Sequence, residues 1–394
     1  MLRAARKISA LLGGFVKRVV NRSLASQTQF PLRQGLRRKN KHILVNCSTN
    51  LMRYYLLELE DIFTFENLLD SHKRCRACKQ HKRETVNFEM NISENLLKLR
   101  NDILSNNYKL NKNSYRSFEI LEPKKRVIES LSYKHRVVQN CLCHYSLMPQ
   151  IEPRLIYDNG ACRMGKGTHF CLKRFKNFLR DYYSKNGNSG YVLKCDVKKY
   201  FLNIDHEVLL KLLKKCKFSK SVYNFLKIII ESNNSCKGLP IGNQSSQWFG
   251  LLYLNPIDRL IKETFKVKYY VRYMDDLVII HKNKNFLKSL LQAIIKLGEK
   301  LKLEFNAKTK ISRICEGIEF LGFRHNLLNN GSVRSFLRKA ARIKLKINIT
   351  LLFNLKGNEF FRTLFINRLK CFKEHLSYGE TFIYFNNLKL RMAS

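Results

Sequence analysis

The chain has 394 residues, 45% hydrophobic and 11% aromatic, which is enough apolar material for a large core and excludes a disordered chain. Lys and Arg number 74 against 30 Asp and Glu, a formal net charge of +44 that calls for a polyanionic partner, nucleic acid being the usual one. The charge runs through the whole chain instead of one amphipathic face, and no apolar run reaches the ~18–20 residues of a membrane-spanning helix. The 12 Cys are scattered through apolar stretches, which suits reduced thiols in a cytosol-like compartment and excludes a disulfide framework.

Residues 1–57 contain no Asp or Glu, while basic residues recur from Arg3 to Arg53. Met1 to Val20 is basic, amphipathic and acid-free, and three readings stay open: an organellar transit peptide (within residues 1–25), a basic arm on nucleic acid, or a start codon assigned too far upstream. Pro31 to Lys41 reads as a linker. Phe65–Leu69 and Asn91–Leu104 carry helical apolar spacing, with Ser93 the expected N-cap. Between them His72, Cys75, Cys78 and His81 offer zinc-type donors, but their spacing is unlike the recurring zinc signatures, and the basic surroundings suit phosphate contact as well.

Residues 115–139 predict an extended run, a basic turn (Pro123 to Arg126) and a helix; clustered Lys and Arg on such a turn suit a triphosphate or a template backbone. Residues 160–167 (GACRMGKG) form a Gly-rich basic loop opening a helix over Thr168–Leu179, without the Walker spacing that nucleotide hydrolysis would need. Asn186 to Gly190 reads as a linker. Beyond it, Tyr191 to Val197 predicts a buried strand ending near Asp196, and Asp205 to Leu213 an Asp-capped helix.

Gly238 to Gln247 (GLPIGNQSSQ) predicts a loop that approaches a ligand closely and opens a helix over Trp248–Glu263. Val271 to Ile280 then reads as two short strands with Asp275 and Asp276 at the turn. Adjacent like charges are tolerated there only if exposed or bridged by a cation, and most Asp-Asp pairs are merely solvated. With Asp196 on a neighbouring strand end, three carboxylates suit a two-metal phosphoryl-transfer site. Asn283–Lys302 predicts a helix closing over the hairpin, Asn306–Lys310 a basic turn, and Gly317–Phe323 a short strand pair. Val333 to Ser394 reads as helical, basic and aromatic, as for a domain lying along a duplex.

In order, Asp196, LPIGNQSSQ, YMDD, NAKTK and EFLGF resemble the palm of a reverse transcriptase, over roughly residues 63–385. The resemblance implies an α+β right-hand polymerase: fingers and the start of the palm over 58–190, a palm with a ferredoxin-like antiparallel sheet over 191–325, and a helical thumb over 326–394, after a basic extension over 1–57. It implies RNA-directed DNA synthesis with two Mg²⁺ ions (Mn²⁺ as the alternative), from template RNA, a DNA or RNA primer and dNTPs. Asp196, Asp275, Asp276 and the Val197 backbone are the implied metal ligands, the three Asp being catalytic. Lys124, Arg126, Phe201, Ile241, Gly242, Gln247 and Lys308 would hold the dNTP, with Phe201 as the gate against a 2′-hydroxyl. Arg163, Lys166, Tyr273, Met274 and the primer grip Phe320, Leu321 and Gly322 would contact nucleic acid.

One departure narrows the resemblance. Retroviral, retron and group II intron enzymes usually carry Gln-Gly after Leu-Pro, whereas here Ile241-Gly242 follows, then Ser246-Gln247. That form is similar to diversity-generating retroelement reverse transcriptases, as are EPKKRVIESLSYKHRVVQ, ACRMGKGTH and the terminal LSYGETFIYFNNL; relatives in bacterial antiviral defence share it. The first group implies error-prone copying and a small basic accessory protein, and both imply a bacterial or phage-encoded protein in the cytoplasm. A catalytically inactive RNA-binding protein is the remaining alternative, against which the three Asp argue.

Overall fold

The computed structural model describes residues 57–121, 125–233, 235–339, 341–343 and 347. The N-terminal extension to residue 56, Lys124, most of the expected thumb and the LSYGETFIYFNNL stretch lie outside the described residues.

The chain enters through the helices Phe65–Arg76, Arg83–Met90 and Ile92–Leu104. Thr64 caps the first, accepting from Asn67 N at 3.1 Å. Leu96, Leu99 and Ile103 form the buried stripe of the third, at the spacing that puts side chains on one helical face. Asn91 precedes that helix and Ser93 lies inside its first turn, so the expected cap is displaced by two residues. A hairpin follows, β1 (Tyr115–Ile120) with β2 (Arg126–Leu131), and then the helix Tyr133–Leu142.

The long helix Thr168–Asn186 leads into β3 (Tyr191–Asp196). With β4 (Tyr270–Tyr273), β5 (Asp276–His281) and β6 (Lys310–Arg313), it builds an antiparallel sheet in the order β4-β5-β3-β6. This is the expected α+β arrangement, with β3 central. Strand alternation divides the side chains. Leu193, Cys195, Tyr270, Leu277 and Ile279 join the main core, while Val192, Val271, Val278 and Ile280 meet Phe175, Phe178, Phe320 and Phe323 on the other side. Each such buried aliphatic side chain contributes roughly 1.5–3 kcal/mol. The helix Lys284–Lys300, capped by Asn283 Oδ1, lays Leu287, Leu290 and Ile294 on the main core.

Three expectations are corrected. The helix expected at Trp248–Glu263 starts at Gln244 and breaks after Tyr253, resuming at Asn255–Arg259, where Pro256 has no N–H to continue the ladder. Residues 186–190 are not a loose linker: Ser189 O accepts from the Tyr182 hydroxyl at 2.7 Å and Gly190 O from Ile314 N at 3.0 Å. Val333–Leu337, expected to be helical, is a strand (β9) beside β7 (Ile318–Phe320) and β8 (Phe323–Leu327). Its Val333, Ser335 and Leu337 are buried while Arg334 is exposed, a period of two that only a strand satisfies.

Candidate active site

Asp276 opens β5 and stands directly opposite Asp196, the last residue of β3, while Tyr273 pairs with Asp276 across the β4–β5 turn. Met274 and Asp275 are therefore a two-residue turn. Met274 takes φ +54°, the left-handed conformation such hairpins need at their first turn residue, adopted here by a side chain that disfavours it. The sequence thus brings Asp196, Asp275 and Asp276 to one end of the sheet, as expected.

Their electrostatics differ. Burial pushes the Asp275 carboxyl up and the charge of Asp196 adds to this, while Arg126 and Arg272 pull it back down. Burial also raises Asp276, but Lys194 counters it: Lys194 Nζ lies 3.3 Å from Asp276 Oδ1. Among the described residues no three Asp, Glu, His or Cys side chains converge as a metal cage. Asp196 acts on Asp275 with like charge, and these two carboxylates, unlike Asp276 with its Lys194 partner, carry no ion pair and fit a divalent ion. Two carboxylates with positions left for phosphate oxygens and water match Mg²⁺ chemistry. Val197, whose backbone was the further expected ligand, bridges Phe305 with its side chain in the core.

The turn is held from beneath by a buried ion pair. Arg272 and Asp258 are both 0% exposed, joined at 2.6–3.0 Å through Nε and Nη2. Arg272 Nη1 donates to the Met274 carbonyl at 3.0 Å, and the Tyr270 hydroxyl donates to Asp258 Oδ1 at 2.5 Å. Neither Arg272 nor Asp258 stood out in the sequence; a charged residue in an apolar strand was the available signal.

Around this end, Arg126 begins β2 close enough to act on Asp275. Glu129 N donates to Ile241 O at 3.1 Å, and a Cβ on Gly242 (φ +133°) would lie 2.8 Å from Glu129 O. The LPIG loop is therefore pressed main chain to main chain on β2, and only glycine fits at 242. Gln247 accepts from the Cys162 thiol, which joins the helix start to the Gly-rich loop. Phe201 O accepts from Leu239 N at 2.8 Å, and its ring packs 5.3 Å from that of Tyr200. Lys308 is exposed in the turn between Asn306, whose N–H donates to Asp196 O at 2.7 Å, and Thr309, which accepts from Asp196 N at 3.2 Å.

The nucleic-acid candidates divide. Arg163 is only 7% exposed and its donors go to Glu152, Ile156 O and Asn159 O, so it is a strut of the loop instead of a free phosphate ligand. Lys166 lies 4.3 Å above the ring of Tyr157, which is 64% exposed and which the sequence did not single out. Tyr273 reaches Thr168 at 3.5 Å, and Met274 is buried. Phe320 is fully buried against Phe175, leaving Leu321 (φ +47°) and Gly322 (φ +87°) as the tip of the β7–β8 hairpin. Among the described residues the His/Cys cluster does not converge as a metal cage: His72 is occupied by Tyr133 at 3.0 Å and Glu89 at 3.1 Å, and Cys75 donates to Arg136 O. No helix among the described residues is long and apolar enough to cross a membrane.

Residues 107–325, more than half of the chain, match the family model of the reverse transcriptase (RNA-dependent DNA polymerase). Comparison with curated proteins gives no match. Among solved structures, the chain is similar to apo telomerase of Candida tropicalis truncated from its C-terminal domain, with 15% identity, 61% of this chain and 59% of that chain covered, and a TM-score of 0.42. Telomerase of Candida albicans with a TWJ fragment of telomeric RNA gives 13% identity, 68% and 54% coverage, and 0.41. Apo telomerase of Candida tropicalis gives 16% identity, 57% and 49% coverage, and 0.43. The chain spans about half to three fifths of the length of these telomerases. The family model rests on the same stretch that carries Asp196 and the Met274–Asp275 turn, and the chain belongs to the reverse transcriptase (RNA-dependent DNA polymerase) family.

Proposed function

We propose that this protein is an RNA-directed DNA polymerase that extends a DNA or RNA primer on template RNA with dNTPs, working error-prone in a diversity-generating retroelement. The observation that carries the chemistry is Asp196 opposite Asp276 at the strand ends, with Asp275 at the turn tip and Arg126 above it. Asp196 and Asp275 would hold Mg²⁺, or Mn²⁺ in its place, which when bound supplies Lewis-acid activation and charge neutralisation at the triphosphate. Arg126 draws the triphosphate oxygens toward Asp275, as a guanidinium fork suits phosphate. Phe201 walls the sugar side and Lys308 faces the departing pyrophosphate. Leu321 and Gly322 present their backbone to the primer, and Lys166 with Tyr157 contacts the strand through charge and ring stacking. Residues 58–190 would serve as fingers and the start of the palm, 191–325 as palm, continued through β9 to Leu337, and the chain beyond Leu337 as thumb.

The diversifying role rests on Ile241 beside β2, where an amide that would fix the nucleotide is replaced by an apolar side chain. A small basic accessory protein belongs to the same reading. Sequencing the DNA made in cells, beside an Asp275→Ala control, tests it. Asp275-dependent cDNA from one RNA with errors gathered at template adenines supports diversification. Faithful, repetitive or untemplated DNA moves the protein to antiviral defence, and no Asp275-dependent DNA leaves an RNA-binding role alone.

A further inference from the structure

The polymerase reading asks three carboxylates to share one strand end, and like charges directly across a ladder are destabilising. Lys194 answers this locally. It lies on β3 two residues before Asp196, so strand alternation puts it on the face of Asp196 and Asp276. Its Nζ is 3.3 Å from Asp276 Oδ1 and donates to Glu319 O at 2.9 Å. Asp276 Oδ1 is buried with no hydrogen-bond partner of good geometry, so the ammonium is its charge partner. Glu319 directly precedes Phe320 in the hairpin whose tip is Leu321–Gly322. Lys310, opposite Lys194 on β6, is a like charge across that ladder, which disfavours Lys194 turning toward β6.

We propose that Lys194 is a positioning residue that withdraws Asp276 from metal binding and ties it to the β7–β8 hairpin. The set left facing substrate is Asp196 and Asp275, the two-carboxylate complement that Mg²⁺ uses when phosphates complete its shell. The same ammonium sets the distance between that pair and the Leu321–Gly322 tip. The inference rests on the polymerase reading for its meaning but not for its test.

The test uses the full chain free of nucleic acid, titrated with Mn²⁺ and followed by electron paramagnetic resonance, beside primer extension and a thermal melt. In Lys194→Met, Asp276 is released as a third ligand, so Mn²⁺ binds about threefold tighter or more. Extension then falls about tenfold in kcat with the KM for dNTP little changed, because the ligands are misplaced and the nucleotide site is intact. Lys194→Arg restores both. A folded Lys194→Met with wild-type Mn²⁺ affinity, or a wild-type protein that binds no Mn²⁺, overturns the proposal. Should Lys194→Met not fold, Asp276→Asn is compared with Lys194→Met/Asp276→Asn. If Lys194 acts through Asp276 the two bind Mn²⁺ equally, and unequal binding overturns it. Wild-type protein that binds Mn²⁺ but extends no primer removes the polymerase reading alone.

Discussion

Arg272 Nη1 donates to the Met274 carbonyl at 3.0 Å, so a fully buried cation grips the backbone of the residue that precedes Asp275. The grip costs a buried charge, which Asp258 and the Tyr270 hydroxyl compensate. Arg272→Gln leaves Asp258 unpaired and is expected to destabilise the fold by roughly 3–5 kcal/mol in urea unfolding. Arg272→Gln with Asp258→Asn should recover much of that loss while primer extension stays low, because the Met274 carbonyl has still lost its donor. If the double variant were no more stable than the single one, the ion-pair account would fail.

Asp275→Ala should lower extension by on the order of a hundredfold or more, since under the proposed function it removes the turn-tip carboxylate that would hold the metal ion with Asp196. Salt-sensitive RNA binding should stay near wild type, because it rests on Lys and Arg spread over the surface. Filter binding across a salt series checks this. Equal loss of extension and binding, in a protein that melts like wild type, would place Asp275 in RNA contact instead.

The hairpin carrying Asp275 was legible because β-branched runs on both sides of an Asp pair have one common solution, a tight turn. Asp205 as a cap was legible for an equally local reason: its side chain accepts from Val208 N at 3.0 Å. What stayed hidden depends on distance along the chain. Lys194 meets Glu319 across 125 residues, and nothing near Lys194 announces that partner. Asp258 and Arg272 likewise become a pair only when helix and strand are packed. Arg163 reads as a free phosphate ligand in a Gly-rich basic loop, yet it donates to the Ile156 and Asn159 carbonyls that lead into that loop. The β9 strand was missed because Lys and Arg hid a five-residue alternation inside a helical-looking tail.

Gly242 separates the backbone role of the LPIG loop from its side-chain role. Gly242→Ala forces a Cβ to 2.8 Å from Glu129 O at φ +133°, and should cost about 1–3 kcal/mol and loosen the loop from β2. The KM for dNTP should then rise more than kcat falls. Ile241→Gln leaves the Ile241 carbonyl bond to Glu129 intact and is expected to lower the error rate at template adenines, read by sequencing the products. An unchanged error spectrum would remove Ile241 as the source of low discrimination.

Acid sensitivity should come from histidines that the core holds neutral. Burial lowers His135, whose Nδ1 meets the Tyr108 hydroxyl at 2.7 Å, to about 4, against an ordinary value of 6.5. Burial likewise lowers His325, beside Ser335, to about 3. Below pH 6.5 the unfolded chain takes up protons that the folded one refuses, so stability falls as pH drops from about 6.5 to about 4. Each such His contributes up to about 1.4 kcal/mol per pH unit across that window. Asp275 and Asp276, raised above the ordinary carboxylate range, act in the opposite sense, so the informative quantity is the difference between wild type and a His variant. His135→Gln cannot be protonated and should flatten the decline of the urea midpoint between pH 7 and pH 5. The same decline in both proteins would mean that His135 takes up its proton equally well folded and unfolded, and that burial beside Tyr108 does not set its charge.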